Sequence, residues 1–454
     1  MLTKNQEYIV DIIDNGFKGE GIAKIDGIIV FVQNAIKGEK IKIKILKVTS
    51  SHAFGKIIEI IEPSQLRTIS DCETYSKCGG CCMRHINYDT TIEMKKNAVE
   101  VTLEKALGRK VEVLEILKME NPYNYRNKLQ YPIGIGDDGK PVMGVFAERT
   151  HRIIPTENCN IQDVLSQKIA NDIYEFVLKN NISVYNEKTL QGSLRHIVIR
   201  IGKKTNEVMI TLVSNTENFN KEKELVEYIT KKYPEIKTIV KNINKKNTNV
   251  ILGKETKILY GKGYIYDYLG DFKFKISPLS FYQVNSVQTE KLYSKAIEYA
   301  NLTGNETIFD LYCGIGTIGI FASRNVKKTY GIETIKEAIE DAKINAKLNN
   351  IENAEFFAGD VEKALPEFIK KRNIKPDVVF VDPPRKGCDK VALETLMQIE
   401  PKKIIYISCN PATLGRDLKI LEDKYELRKL AICDMFGFTS HIECVTILQL
   451  KDLI

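Results

Sequence analysis

Thr307-Ile-Phe-Asp310-Leu-Tyr-Cys-Gly314-Ile-Gly316-Thr-Ile-Gly319 decides how the chain is to be read. An apolar run ends at Asp310, a glycine-rich turn follows, and Thr317 starts a segment of helical spacing, so the stretch predicts strand, turn and helix, with glycines that let the backbone approach a ligand. Its glycines satisfy G-x-G-x-x-G, which leaves a dinucleotide open. The carboxylate of Asp310 would repel a diphosphate and suits the cationic amino group of S-adenosylmethionine. Glu333 ends the next expected strand, Lys328 to Glu333, where a carboxylate can take both hydroxyls of a ribose.

The alternation continues toward the C-terminus. Helix Lys336 to Leu348, strand Ala354 to Ala358 with Asp360 after it, helix Val361 to Arg372, strand Asp377 to Val381 leading into Asp382-Pro-Pro-Arg385, and helix Lys390 to Ile399 follow in turn. The short apolar run Ile404 to Ile407 reads as a strand buried on both faces, and Pro411 opens a helical segment, Ala412 to Glu422. Cys409 thus falls where a central strand meets a helix, the edge at which open α/β sheets bind ligands. A thiol there is expected to be biased toward thiolate by the helix dipole, although a buried structural cysteine would occupy the same place. Two last strands, near Leu427 to Cys433 and Ile442 to Leu448, fit a closing antiparallel hairpin.

Toward the N-terminus the pattern changes. Residues 1–62 carry turn signals at Asn15-Gly16, Gly19-Glu20-Gly21 and Asp26-Gly27 between short alternating runs, which predicts a small β-barrel. In Lys40-Ile-Lys-Ile-Lys-Ile45 the period of two puts isoleucines on the core face and lysines on the other, where they either follow a phosphate backbone or simply solvate the face. Residues 63–285 mix helices (Thr91 to Leu107, Ile161 to Leu178, Lys221 to Lys232) with strands (Asn127 to Pro132, Val142 to Phe146, His196 to Ile201, Val208 to Val213, Thr238 to Asn242), an α+β unit. Its arginines and lysine at Arg126, Lys128, Arg149, Arg152, Arg195 and Arg200 are candidates for a nucleic-acid track or for plain surface charge. Residues 286–454 form the cofactor half.

Ahead of the central unit stands Cys72-Glu-Thr-Tyr-Ser-Lys-Cys78-Gly-Gly-Cys81-Cys82-Met-Arg-His85. C-x5-C-x2-C with interleaved glycines is hard to explain as packing. Cys159 is the best fourth ligand, with Cys82 and His85 in reserve, and four thiolates can hold tetrahedral zinc or an iron-sulfur cluster. Ten cysteines in 454 residues are too few for a secreted disulfide scaffold. No apolar run approaches the roughly 20 residues of a membrane span, and Met1 to Asp14 lacks signal-peptide organisation, so a cytoplasmic protein without a membrane partner is expected. The net charge of +8 permits a polyanionic partner without requiring one.

Phe281-Tyr-Gln283-Val-Asn285, Asp310 to Gly316, Asp382-Pro-Pro-Arg385, Ser408-Cys409-Asn410-Pro411 and His441-Ile-Glu443-Cys444 together resemble the RNA uracil-5-methyltransferase family. The cysteine cluster and the N-terminal segment, which resembles a TRAM domain, are similar to its 23S ribosomal RNA branch. The resemblance implies a class I, Rossmann-like α/β methyltransferase domain, a TRAM/OB-like barrel, and a central α+β domain with an iron-sulfur site. It implies a [4Fe-4S] cluster on Cys72, Cys78, Cys81 and Cys159, and S-adenosyl-L-methionine held by Gln283, Tyr312, Glu333 and Asp382. The expected reaction is C5-methylation of a uridine in 23S ribosomal RNA by a monomer, with transfer RNA as the alternative substrate. Uracil C5 is a poor nucleophile until a thiolate adds at C6, the role implied for Cys409, and the C5 proton must then leave to a base, implied for Glu443. The competing readings are weaker. A radical enzyme requires C-x3-C-x2-C, and a non-catalytic RNA-binding protein would not need Cys409 and Glu443.

Overall fold

A computed structural model describes residues 2–75 and 77–451. In the N-terminal part, β1 (Glu7–Asp11), β2 (Asp14–Asn15), β3 (Gly21–Ile25), β4 (Ile28–Gln33), β5 (Lys40–Val48) and β6 (His52–Glu62) form one sheet in the order β1-β5-β6-β4-β3-β2. Strand β1 also approaches β3, which curls the sheet around a core containing Ile41, Ile43 and Ile45, as the period of two requires.

Helix α1 (Tyr88–Leu107) and β7 (Glu115–Leu117) come next. They depart from the boundary expected at 63–285, because β7 pairs in parallel with a C-terminal strand and α1 packs on a C-terminal helix. The central sheet follows: β8 (Lys128–Ile135), β9 (Pro141–Phe146), β10 (Ile153–Pro155), helix α2 (Val164–Lys179), β11 (Leu194–Ile201), β12 (Val208–Ser214), helix α3 (Glu222–Lys232), β13 (Ile236–Ile243) and β14 (Glu255–Gly261). Its order is β10-β9-β8-β11-β12-β13-β14. A hairpin of β15 (Ile265–Leu269) and β16 (Phe272–Ile276) leads to α4 (Ser286–Ala300).

The C-terminal elements are β17 (Thr307–Leu311), α5 (Thr317–Ala322), β18 (Lys328–Glu333), α6 (Lys336–Leu348), β19 (Ala354–Ala358), α7 (Val361–Arg372), β20 (Val378–Val381), α8 (Lys390–Ile399), β21 (Lys403–Ser408), α9 (Pro411–Leu421), β22 (Tyr425–Cys433) and β23 (Glu443–Leu450). They build the sheet β19-β18-β17-β20-β21-β23-β22-β7, parallel from β19 through β21 and antiparallel at β23. Strand order reverses between β17 and β20, so the crevice for a ligand opens at the carboxyl ends of those two strands. Alternate residues feed opposite cores: Ile308, Phe380 and Ile405 face one side, while Phe309, Val379 and Ile404 face the other. This burial on both faces explains why the strands read as continuous apolar runs. Among the described residues no helix is long and apolar enough to cross a membrane.

Candidate active site

The turn after β17 is the first wall of the site. Tyr312 takes φ 64°, and Gly316 takes φ 80° at a point where an added Cβ would lie 2.9 Å from the Phe356 ring. Only glycine satisfies both the left-handed backbone and the close approach there. Gly319 is equally enforced, because a Cβ would lie 3.0 Å from the carboxylate of Asp310.

Asp310 departs from its expected role. It is fully buried, its Oδ2 accepts the Gly319 N–H at 2.7 Å, and it does not line the cavity above. Burial pushes its carboxyl up to about 8, with Asp382 and Glu333 adding to the rise. It braces the turn from below. Glu333 does face the cavity, with Oε2 accepting from the Gly314 N–H at 3.2 Å and Oε1 from the Ile335 N–H at 3.0 Å. Those backbone donors hold its oxygens in a fixed plane, suited to a vicinal diol. Tyr312 lines the same end and donates to Glu362 at 3.3 Å. Sequence reading assigned no role to Glu362 or its neighbour Asp360. Both lie on the cavity wall just beyond β19, and their only signal was acidic residues following an expected strand.

The second wall comes from the closing hairpin. Strand β23 runs antiparallel to β21 with Cys444 opposite Ser408, so Cys409 at the end of β21 and Glu443 at the start of β23 meet at one edge of the sheet. Asp382 follows β20, the neighbour of β21, and arrives at the same edge. Gln283, from the loop before α4, is tied down where its carbonyl accepts from Asn127 at 2.9 Å. One cavity of about 890 Å³ holds Gln283, Tyr312, Glu333, Asp382, Cys409 and Glu443 together. Arg385, Phe281 and His441, present in the sequence motifs but given no function, share it, as does Phe436, which no motif included.

Electrostatics in the empty cavity run against the thiolate expected at Cys409. Burial first, then Glu443 and Asp382, push its thiol up to about 11, and Arg385 opposes them. The helix contributes little because Cys409 precedes the N-cap: Asn410 caps α9, its side chain accepting from the Ala412 N–H at 3.1 Å. Glu443 is 4 % exposed and its carboxyl is raised well above the usual range by burial and by Asp382. Burial alone pushes Asp382 up to about 7. Burial at this edge thus favours the protonated forms of Asp382 and Glu443.

The floor between α1 and the hairpin is a strap, residues 434–441. Asp434 is buried, with Lys95 Nζ at 2.6 Å and the Tyr88 hydroxyl at 2.7 Å. Lys95 also donates to the Phe436 carbonyl at 3.1 Å, and the backbone N–H groups of Cys82 and Met83 both donate to the Phe438 carbonyl at 3.0 Å. The Arg84 guanidinium lies 4.4 Å from the centre of the Phe438 ring. The cysteine segment and the cavity wall thus share one piece of backbone.

Cys72, Cys78, Cys81 and Cys159 lie near enough that each of the last three feels Cys72, and burial with the neighbouring thiols pushes Cys81 up to about 12. Among the described residues no three His, Cys, Asp or Glu side chains close tightly enough to hold a single metal ion. Tyr131, wholly buried beside Cys159, Cys78 and Cys72, has a hydroxyl without a hydrogen-bond partner, an O–H donor available to an electron-rich sulfur group. Of the reserve ligands, Cys82 turns to Ser440, and His85 Nδ1 is engaged by the Tyr75 hydroxyl at 2.6 Å.

Other expected contacts are corrected. Arg195 and Arg200 are buried and donate to the carbonyls of Asn244 and Ser280, so these two belong to the central core, while burial brings the half-buried Lys128 down to about 8. On β5, Lys42 pairs with Glu7 at 2.9 Å and Lys40 with Glu62 at 3.8 Å, which neutralises much of the lysine stripe.

A doubly wound sheet whose switch-point cavity joins a thiol and carboxyls defines a methyltransferase-type site, and comparison with known proteins sharpens that class. The tRNA (uracil-5-)-methyltransferase family profile matches residues 87–451, and the TRAM domain profile matches residues 2–58. An RNA methyltransferase of Clostridium acetobutylicum is 50% identical over 99% of this chain and 98% of its own length. Another from Halalkalibacterium halodurans is 44% identical over 99% and 98%. The solved structure of the Pyrococcus abyssi tRNA (uracil-54, C5)-methyltransferase with S-adenosyl-L-homocysteine has a TM-score of 0.77 and 28% identity, covering 98% of this chain and all of the other. The chain belongs to the tRNA (uracil-5-)-methyltransferase family, and it is an RNA methyltransferase with a TRAM domain.

Proposed function

We propose that the protein methylates C5 of a uridine in 23S ribosomal RNA, using S-adenosylmethionine, with Cys409 as nucleophile and Glu443 as base. The observation that carries the reading is the convergence of Cys409, Glu443 and Asp382 at one sheet edge, in a cavity that also reaches Glu333 and Tyr312. The cofactor supplies a methyl group on a sulfonium. Glu333 binds the ribose diol, Tyr312 packs beside the adenosine or methionine portion, and Gln283 and Asp382 orient the base near the reacting methyl.

Cys409 adds through sulfur to C6 of the flipped base, and the electron pair of the C5=C6 bond becomes an enolate across C5 and the C4 carbonyl. After C5 takes the methyl group, Glu443 removes the C5 proton, the double bond re-forms, and the sulfur leaves C6. The cationic Arg385 opposes the pull of burial on both Cys409 and Glu443 and so favours their reactive, deprotonated forms.

Cys72, Cys78, Cys81 and Cys159 would hold a [4Fe-4S] cluster, a reading supported by the three thiols that lie close enough to feel Cys72 and by the free Tyr131 hydroxyl beside them. No electron transfer is needed by the chemistry, so its role is to fix the segment that supports the strap. A second reading, transfer RNA as substrate, is favoured by the Pyrococcus abyssi enzyme, whose likeness spans the whole chain, barrel included.

The test is nucleoside mass spectrometry after incubation with S-adenosylmethionine and either unmodified 23S ribosomal RNA or unmodified transfer RNA. New 5-methyluridine only in the first is the expected result; in the second only, the substrate falls while the chemistry stands. Cys409→Ala is expected to abolish methylation, and Glu443→Gln to accumulate a denaturation-resistant protein–RNA adduct. An active Cys409→Ala variant removes the nucleophile assignment.

A further inference from the structure

The outer face of the N-terminal sheet carries an aromatic group that the catalytic cavity does not use. Register places Ile22, Phe31, Phe54 and Lys47 in one row across β3, β4, β6 and β5. Lys24, Ile29 and His52 form the adjoining row, and Gln33, Lys56 and Lys44 the row on the other side. The three rings touch one another, with centroids 5.6 Å apart for Phe31 and His52, 5.9 Å for Phe31 and Phe54, and 5.0 Å for His52 and Phe54. Phe54 is 39% exposed and Ile29 44%, a costly arrangement for a face that only meets water.

The charge around the rings is one-sided. Lys24, Lys44, Lys47 and Lys56 form no ion pair among the described residues, in contrast to Lys40 and Lys42 further along β5. Of the acids near the face, Glu7 pairs with Lys42, Glu148 accepts from Gln33 at 3.1 Å at its edge, and Glu59 stands opposite Lys42 beyond the row of Lys44 and Lys56. The bond from Gln33 joins the face to the loop of the central domain that bears Arg149, whose guanidinium pairs with Glu148 at 3.3 Å.

We infer that the Phe31–His52–Phe54 face is a stacking platform for unpaired bases of the RNA substrate, with the surrounding lysines taking the flanking phosphates. Rings on a sheet surface offer every base a π-face without demanding sequence, and a row of free lysines supplies the phosphate attraction. The inference rests on RNA being the substrate, and it assigns the barrel's contact to β4 and β6 in place of the partly neutralised stripe on β5.

The chain contains no tryptophan, so Phe54→Trp in the full-length protein gives a single emitter within the platform, with Ile258→Trp on β14 as the control position. Titration with single-stranded oligouridylate is expected to quench the indole introduced by Phe54→Trp saturably, while a blunt RNA duplex leaves it bright. Phe54→Ala is expected to weaken oligouridylate binding by about five- to a hundredfold, with the loss in turnover falling on KM, and Phe54→Trp to restore it. No quenching, or equal quenching at the two positions or by the two RNAs, overturns the platform. Because emission is read without turnover, quenching in a preparation that forms no 5-methyluridine supports the platform and counts against the proposed reaction alone.

Discussion

Cys409 stands one residue short of the N-cap of α9, with Glu443 and Asp382 beside it, and that placement controls its protonation. A thiol pushed up to about 11 is mostly protonated at neutral pH. Alkylation of Cys409 in the ligand-free protein, followed by peptide mass spectrometry, is therefore expected to rise roughly tenfold per pH unit from neutrality toward that value. A rate that is flat with pH would mean a preformed thiolate. The carboxyls of Asp382 and Asp310, raised to about 7 and about 8, act on stability in the opposite sense. Since the folded state holds their protons more tightly, their contribution is complete below the ordinary carboxylate range, near pH 4, and is lost as pH rises through about 7 to 8. The melting temperature of the ligand-free protein is expected to fall over that interval, and Asp382→Asn to flatten the fall. Sequence reading located these residues by motif, but burial and mutual repulsion arise only when three strands meet.

At the scale of elements, α1 and the strap 434–441 are joined by the buried pair of Lys95 and Asp434. Lys95→Met leaves Asp434 with the Tyr88 hydroxyl but no counter-charge, and is expected to lower unfolding free energy by about 3–5 kcal/mol in urea titrations. Lys95→Met with Asp434→Leu removes the stranded charge and should recover much of that loss. The cysteine segment docks on the same strap through the N–H groups of Cys82 and Met83. Cys81→Ser or Cys159→Ser is thus expected to remove bound iron and its visible absorbance and to lower the melting temperature, while Cys82→Ser retains both. Equal iron in all three variants would remove Cys81 and Cys159 from the ligand set. None of this coupling could be read from the chain, because Lys95 and Asp434 are 339 residues apart and each looks like an ordinary surface charge in its own segment.

For the whole molecule, a net charge of +8 matters only where the charge is free. RNA affinity is expected to fall with salt, and Lys24→Ala with Lys56→Ala to reduce the slope of log affinity against log salt by about one each. Removing the buried Arg195 should leave that slope unchanged in any variant that folds. The chain by itself determined the alternating α/β half, the glycine turn and the curled N-terminal sheet, since periodicity and turn chemistry are local and each strand declares its buried faces, and its motifs picked out residues that line one cavity. Only the tertiary structure decided that α1 and β7 join the C-terminal sheet, that Asp310 braces the turn, that Arg195 and Arg200 of the central unit are internal, and that the free lysines surround rings on β4 and β6. Those outcomes depend on which distant surfaces meet, and the free energy of a charge or a ring is set by its neighbours in space, which sequence order does not specify.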